Sequence, residues 1–257
     1  YNHTSFMKQL EKIKDDSTVK GILLEINSPG GSVYETAEIT RALKEIQKDK
    51  KIPIYASMES QAASGGYYIA ANSDRIFASE DTMTGSIGVI MSSVNYSGLM
   101  EKLGITDATV KSGALKDIGS SSRPQTKEDK EVLQSFVDSM YSRFVKTVAE
   151  GRNMDEAKVR KLADGRIYDG AQALDNGLVD EIGYPDQALI ALKRNEGLTG
   201  AKVISYKSGT TNFMNTWLGN NLADMQGLKP SQEELMTNIV KSIGTPQAPK
   251  AMYLYGG

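Results

Sequence analysis

Apolar residues recur along this chain with two periods that alternate. In residues 5–16, Phe6, Leu10 and Ile13 fall on one helical face. Residues 19–26 form an apolar run of strand length, closed by Asn27-Ser28-Pro29-Gly30-Gly31-Ser32, where the proline and glycines must end the strand. Helical spacing returns in residues 33–48, with Ala37, Ala42, Leu43 and Ile46 near one face. Residues 52–57 read as a second strand, a helix runs from the Ser64 turn to about Asn72, and residues 75–79 read as a third strand. Strand, helix, strand, helix, strand is the alternation of a parallel α/β sheet.

Further on, residues 85–91 read as a glycine-punctuated strand, 97–103 as a helix, 107–111 as extended chain, and 113–124 as a polar loop holding Leu115 and Ile118. Thr126 opens a long helix to about Glu150, with Glu128 and Asp129 in its first turn. Val132, Phe136, Met140, Phe144 and Val148 recur every fourth residue in it, a core or interface stripe. Residues 155–163 read as a helix, 165–183 as glycine turns around Ile167, Leu174, Leu178, Val179 and Ile182, and 202–206 as a last strand. Phe213, Trp217, Leu218, Leu222 and Met225 form another stripe, simplest as packing and more sharply as an interface or membrane-facing surface; residues 231–243 read as a helix. With no repeat or strong linker, the expected organisation is one α/β domain over 1–205, a C-terminal helical extension over 206–243 and a flexible tail over 244–257. Residues 251–255 are apolar and extended in character, so the tethered tail is expected to reach a groove of its own assembly.

Composition narrows the function classes. Of 257 residues, 39% are hydrophobic and 24% charged, ordinary for a globular protein, and a net charge of −2 without an arginine-rich patch argues against nucleic acid as a partner. The absence of cysteine removes disulfides, thiolate metal sites and cysteine nucleophiles together. No apolar run has the ~18–20 residues of a membrane helix. Because the chain starts at Tyr1 and not at methionine, it is expected to be a fragment, which leaves open a removed signal or anchor segment.

The candidate chemistry gathers at two glycine loops. Ser64 follows a short strand and precedes Gly65-Gly66-Tyr67-Tyr68 at the start of a helical run, a layout that exposes a serine beside backbone N–H groups. Gly30 and Gly31 lie past another strand end, on the side where parallel sheets place their sites, and glycine lets N–H groups approach a substrate closely. Alone, Ser64 reads as a helix cap and the Pro29-Gly30-Gly31 stretch as a turn; together in one α/β unit they read as nucleophile and oxyanion donors. The one histidine, His3, sits at the chain's ragged start and reads as a surface residue, so the base must be of another type. Lysine serves if it is neutral: at its ordinary pKa of ~10.4, roughly one in 10³ is uncharged at pH 7.4, and burial lowers that pKa. Lys116 is the candidate, flanked by Leu115 and Ile118, where its plain alternative is a solvated loop lysine; Asp117 beside it opposes a neutral amine unless it points away. Two short motifs mislead. Ser17-Thr18-Val19-Lys20 with Lys111-Ser112-Gly113 imitates a penicillin-binding pattern, but Ser17 precedes a β-rich run. Ala62-x-Ser64-x-Gly66 imitates the elbow of Ser-His-Asp hydrolases, but no histidine follows.

These residues resemble the signal peptide peptidase A family, serine proteases with a Ser-Lys dyad. The likeness covers about residues 18–185: Asn27-Ser28-Pro29-Gly30-Gly31, Ala63-Ser64-Gly65-Gly66-Tyr67-Tyr68, Thr84-Gly85-Ser86-Ile87-Gly88-Val89, Lys111-Ser112-Gly113 with Lys116, and Asp164-Gly165-Arg166-Ile167-Tyr168 with Gly177-Leu178-Val179-Asp180. The resemblance implies an α/β fold of the Clp protease/crotonase type, a spiral of repeated αββ units. It implies Ser64 as nucleophile, Lys116 as general base, Ser86 orienting the lysine, and the Gly31 N–H in the oxyanion hole with a second amide near Ser64. Gly30, Gly31, Ser32, Gly65 and Gly66 would line the substrate. It further implies no cofactor or metal, extended apolar peptides such as released signal peptides as substrates, a membrane location through an N-terminal anchor, and an extracytoplasmic catalytic domain. Double-length members draw serine and lysine from different halves. This half-length chain should therefore form a homo-oligomeric ring in which Ser64 of one subunit meets Lys116 of its neighbour. A non-catalytic peptide-binding ring scaffold and a crotonase-type acyl-CoA enzyme are the alternatives.

Overall fold

One long strand organises the sheet. In the computed structural model, which describes residues 2–206 and 252–254, β1 (Ile22–Ser28) lies parallel to β3 (Ile54–Ala63), in register from Ile22↔Ile54 to Ile26↔Met58, then shifted so that Ser28 faces Ala62. The opposite edge of β3 is shared: β4 (Arg75–Ala78) pairs with its first half and β5 (Met83–Gly85) with its last three residues, both parallel. β7 (Glu181–Ile182) extends the sheet parallel to β4, and β6 (Ile167–Tyr168) closes the other end antiparallel to β5. Residues 54–58 of β3 are all buried, as a strand covered on both faces requires.

Helices cover both faces. α1 (His3–Asp15) is capped by Asn2, which accepts the Ser5 N–H at 2.9 Å, and buries Leu10 and Ile13. α2 (Val33–Lys50) buries Thr36, Ile39, Thr40, Leu43 and Ile46, and Ala42 packs against the same core; Ala37 faces solvent, its place on the packed face taken by Thr36. α3 (Gly65–Ala70) buries Tyr67, whose hydroxyl donates to the Leu178 carbonyl at 2.9 Å; burial pushes that phenol's pKa up. α5 (Lys127–Gly151) starts with a capping box between Thr126 and Asp129 and sends Phe144, Val145 and Val148 into the main core. At its far end Arg152 holds Asp180 at 2.6 Å, and Asp180 accepts the Ile76 N–H at 2.8 Å, tying the helix to β4. α6 (Glu156–Leu162), α7 (Gly170–Asp175) and α8 (Pro185–Asn195) complete the cover. α8 seals a second cluster, where Tyr55 and Phe77 stack under Ala188, Ala191 and Leu192. Its signal is in the sequence: Pro185 in the first turn, then apolar residues three and four apart.

The structure corrects several readings. Strand character after Met83 ends at Gly85, and residues 107–111 and 202–206 form no strand. The stripe on α5 divides: Met140, Phe144 and Val148 are buried, whereas Val132 and Phe136 face outward. Between β5 and α5 the chain leaves the core; α4 (Ser97–Lys102) buries nothing, and Val94, Leu99, Leu103, Ile105 and Val110 are all more than half exposed. The helices read at 213–225 and 231–243 fall outside the described residues. Within the stretch read as a flexible tail, β8 (Met252–Leu254) pairs antiparallel with β2 (Gly30–Ser32).

This division of α5 gives an expected outcome. Phe144→Ala lowers the unfolding free energy of the isolated subunit by about 3–5 kcal/mol and Phe136→Ala changes it by no more than about 0.5 kcal/mol, measured by denaturant titration of dissociated protein.

Candidate active site

β3 ends one residue before Ser64, and α3 begins one residue after it. The serine makes this reversal itself, with φ 54° and ψ −116°, a conformation that costs energy for any residue with a side chain. Two backbone bonds hold it there: its N–H donates to the Gly85 carbonyl at 2.8 Å, and its carbonyl accepts the Tyr68 N–H at 2.9 Å. The Ser64 side chain is fully buried, and its hydroxyl has no hydrogen-bond partner among the described residues.

Glycine is required around this turn. A Cβ on Gly65 would lie 2.8 Å from the Thr36 hydroxyl and 3.2 Å from the Gly31 nitrogen; one on Gly66 would lie 2.9 Å from the Ser28 carbonyl. The same distances put the Gly31 amide beside the residue that follows Ser64. Gly30 has φ 117°, which needs glycine, while a Cβ on Gly31 would meet nothing within 4 Å. Ser32 starts α2 without a side-chain cap bond. The strand that carries these residues already bears a partner, with Gly30 opposite Leu254, Gly31 opposite Tyr253 and Ser32 opposite Met252.

Ser86 comes directly after the carbonyl that binds Ser64. It too has positive φ, 48°, is buried, and donates its N–H to the Arg166 carbonyl at 2.8 Å. Ser64, Ser86, Gly31, Gly65 and Gly66 are thus gathered at one end of the sheet. Lys116 is not gathered with them. It lies on an exposed turn where its N–H donates to the Gly113 carbonyl at 3.1 Å, and its amine forms no hydrogen bond or ion pair within the described residues. Asp117 beside it does point away, toward Arg123 and Lys111.

His3 is not a loose surface residue. It opens α1, and its Nε2 lies 2.7 Å from Glu38 of α2. Thr36, packed against Gly65, escaped the sequence reading because the apolar positions around it defined the helix face. Arg123 escaped it because residues 113–124 read as a polar loop. Among the described residues, no group of three or more His, Asp or Glu side chains is placed to hold a metal.

Comparison with known proteins supplies the family. The family described as Peptidase family S49 matches residues 46–199, which include Ser64, Ser86 and Lys116, and the Clp protease family matches residues 2–83, which include the glycine strand. A protein of Enterococcus faecium named as a candidate signal peptide peptidase SppA is 56% identical over 257 residues, all of this chain and 74% of its own length. Protease 4 of Haemophilus influenzae is 37% identical over 180 residues, 70% of this chain and 29% of that protein. The chloroplastic serine protease SPPA of Arabidopsis thaliana is 30% identical over 193 residues, 75% of this chain and 28% of that protein. The mixed α/β sheet fits the Clp protease/crotonase class of fold that the second family match indicates. With its serine turn and glycine strand inside the matched regions, the chain belongs to peptidase family S49 and is a serine protease.

Proposed function

We propose that Ser64 and Lys116 form a Ser-Lys dyad that cleaves extended, apolar peptides, among them signal peptides released into a membrane; signal peptides are the substrate in the name of the Enterococcus faecium relative. The observation that carries this reading is the buried Ser64 hydroxyl, on a strained turn next to Gly65 and without a hydrogen-bond partner among the described residues.

The steps follow from the residues. The uncharged Lys116 amine takes the Ser64 proton as Oγ attacks the peptide carbonyl. The carbonyl oxygen, now anionic, is held by the N–H groups of Gly31 and Gly65. Lys116 then protonates the departing amine, and water hydrolyses the acyl-enzyme. Ser86, next to the turn, orients the lysine. The substrate lies as an added strand along Gly30–Ser32, with Gly66 leaving room beside it; the antiparallel pairing of Met252–Leu254 with that strand supports this mode.

The dyad is completed between copies of the chain. Lys116 is exposed and unpaired in one chain, and the segment before it presents Val94, Leu99, Leu103 and Val110 outward, as do Val132 and Phe136 on α5. A homo-oligomeric ring that covers these side chains carries Lys116 of one subunit to Ser64 of the next and supplies the apolar surroundings a neutral amine requires. No helix among the described residues is long and apolar enough to cross a membrane. Membrane attachment is assigned to an N-terminal anchor, with the catalytic domain on the extracytoplasmic side.

Steady-state cleavage of a peptide ester tests the dyad. Ser64→Ala and Lys116→Ala each lower kcat by at least about 10³-fold, and wild-type activity rises with pH along a basic limb because only the neutral amine accepts the proton. Lys116→Ala with near-normal kcat would refute the assignment. For the oxyanion donors, Gly65→Ala lowers kcat about 10²–10³-fold with a much smaller change in KM, because its Cβ presses on Thr36 and the Gly31 amide. An unchanged kcat would remove Gly65 from the site.

A further inference from the structure

A carboxylate beside a base amine favours the charged form and opposes proton uptake from serine. Asp117 is next to Lys116 on a loop without regular secondary structure, so its neighbours decide whether the amine can work. Arg123 donates from Nε to Asp117 Oδ2 at 2.9 Å and from Nη2 to Oδ1 at 2.8 Å, and Lys111 Nζ reaches the same two oxygens at 2.8 and 2.9 Å. The guanidinium also grips Asp129: Nη1 donates to Oδ2, and Nη2 lies 3.1 Å from Oδ1. The Asp129 side chain is 1% exposed and accepts the Thr126 N–H at 2.9 Å, closing the capping box of α5. One planar side chain therefore joins the lysine loop to the first turn of a helix anchored in the core by Phe144 and Val148.

The charges balance. Arg123 and Lys111 carry two positive charges, Asp117 and Asp129 two negative ones. Arg123, with Lys111, holds the Asp117 carboxyl well below the usual carboxylate range, and Arg123, with the Thr126 N–H, does the same for Asp129. The other charged groups about the loop are Asp107, which accepts the Ser122 hydroxyl at 2.5 Å, and Lys130 of α5, which lines a groove with Gly119 and Met91.

We propose that Arg123 is the positioning residue of the lysine base: its clamp on Asp117 and Asp129 fixes the loop to α5 and withdraws the neighbouring carboxylate from the Lys116 amine. The proposal rests on Lys116 as the base. It differs from a purely structural role, because a clamp that only stabilises the loop leaves the pH dependence of the reaction where it was.

The test is the kcat–pH profile for a peptide ester in Arg123→Gln, Asp117→Asn and the double variant, with Lys116→Ala in parallel. Arg123→Gln leaves Asp117 held by Lys111 alone, so the cluster keeps one uncompensated negative charge, and moves the basic limb up by about one pH unit. At pH 7.4 this reads as roughly a tenfold loss in kcat with KM within about twofold. Asp117→Asn leaves excess positive charge near the amine and moves the limb down. In the double variant the limb returns toward the wild-type position. Limbs of Arg123→Gln and Asp117→Asn that coincide with wild type, in an assay where Lys116→Ala is inactive, overturn the proposal and leave the dyad standing. An active Lys116→Ala overturns the dyad, and this proposal with it. If Arg123→Gln does not fold, Asp117→Asn decides alone: a lowered limb supports the clamp and an unmoved one refutes it.

Discussion

The bond from the Ser64 N–H to the Gly85 carbonyl holds the site together. It fastens the end of β3 to β5 at the residue where the chain reverses into α3, and it keeps Ser64 at a backbone conformation that side-chain-bearing residues avoid. The burial of the sheet and of Tyr67 behind it offsets that strain. Gly65 and Gly66 follow because the turn leaves no space for a Cβ, and Ser86 follows because it extends from the carbonyl that receives the bond. The positions that look like sequence motifs are steric consequences of one tight turn.

Among the described residues the Ser64 hydroxyl has no hydrogen-bond partner. His3 meets Glu38, and Asp117 is claimed by Arg123 and Lys111. The Lys116 amine, proposed as the base, lies on an exposed turn in a segment whose apolar side chains face outward. A chain built this way conceals a hydroxyl and displays an amine, and association of copies is the economical way for the two to meet.

Much of this was legible in the sequence. Apolar runs of strand length and helical spacing located β1, α2, β3, α3 and β4, and glycine pairs marked where backbone approaches backbone. The sequence was less informative where elements are short or polar. β2, β6 and β7 have two or three residues each, too few to show a period, and exist because neighbouring strands leave edges to pair. The α5 stripe was continuous in sequence but split in space, because the helix outruns the core that buries it. Arg123 was invisible for a related reason: its partners, at positions 117 and 129, belong to a loop and a helix cap that only folding brings to one guanidinium.

The central claim is that the amine of one subunit serves the hydroxyl of another, and subunit mixing tests it most directly. Ser64→Ala and Lys116→Ala proteins, each inactive, are dissociated, mixed in equal amounts and reassembled, with native mass spectrometry to verify mixed oligomers. In a ring, a site works where a subunit with intact Ser64 adjoins one with intact Lys116 in the right order, so random mixing restores about a quarter of wild-type activity. Mixed oligomers as inactive as either parent would contradict the account.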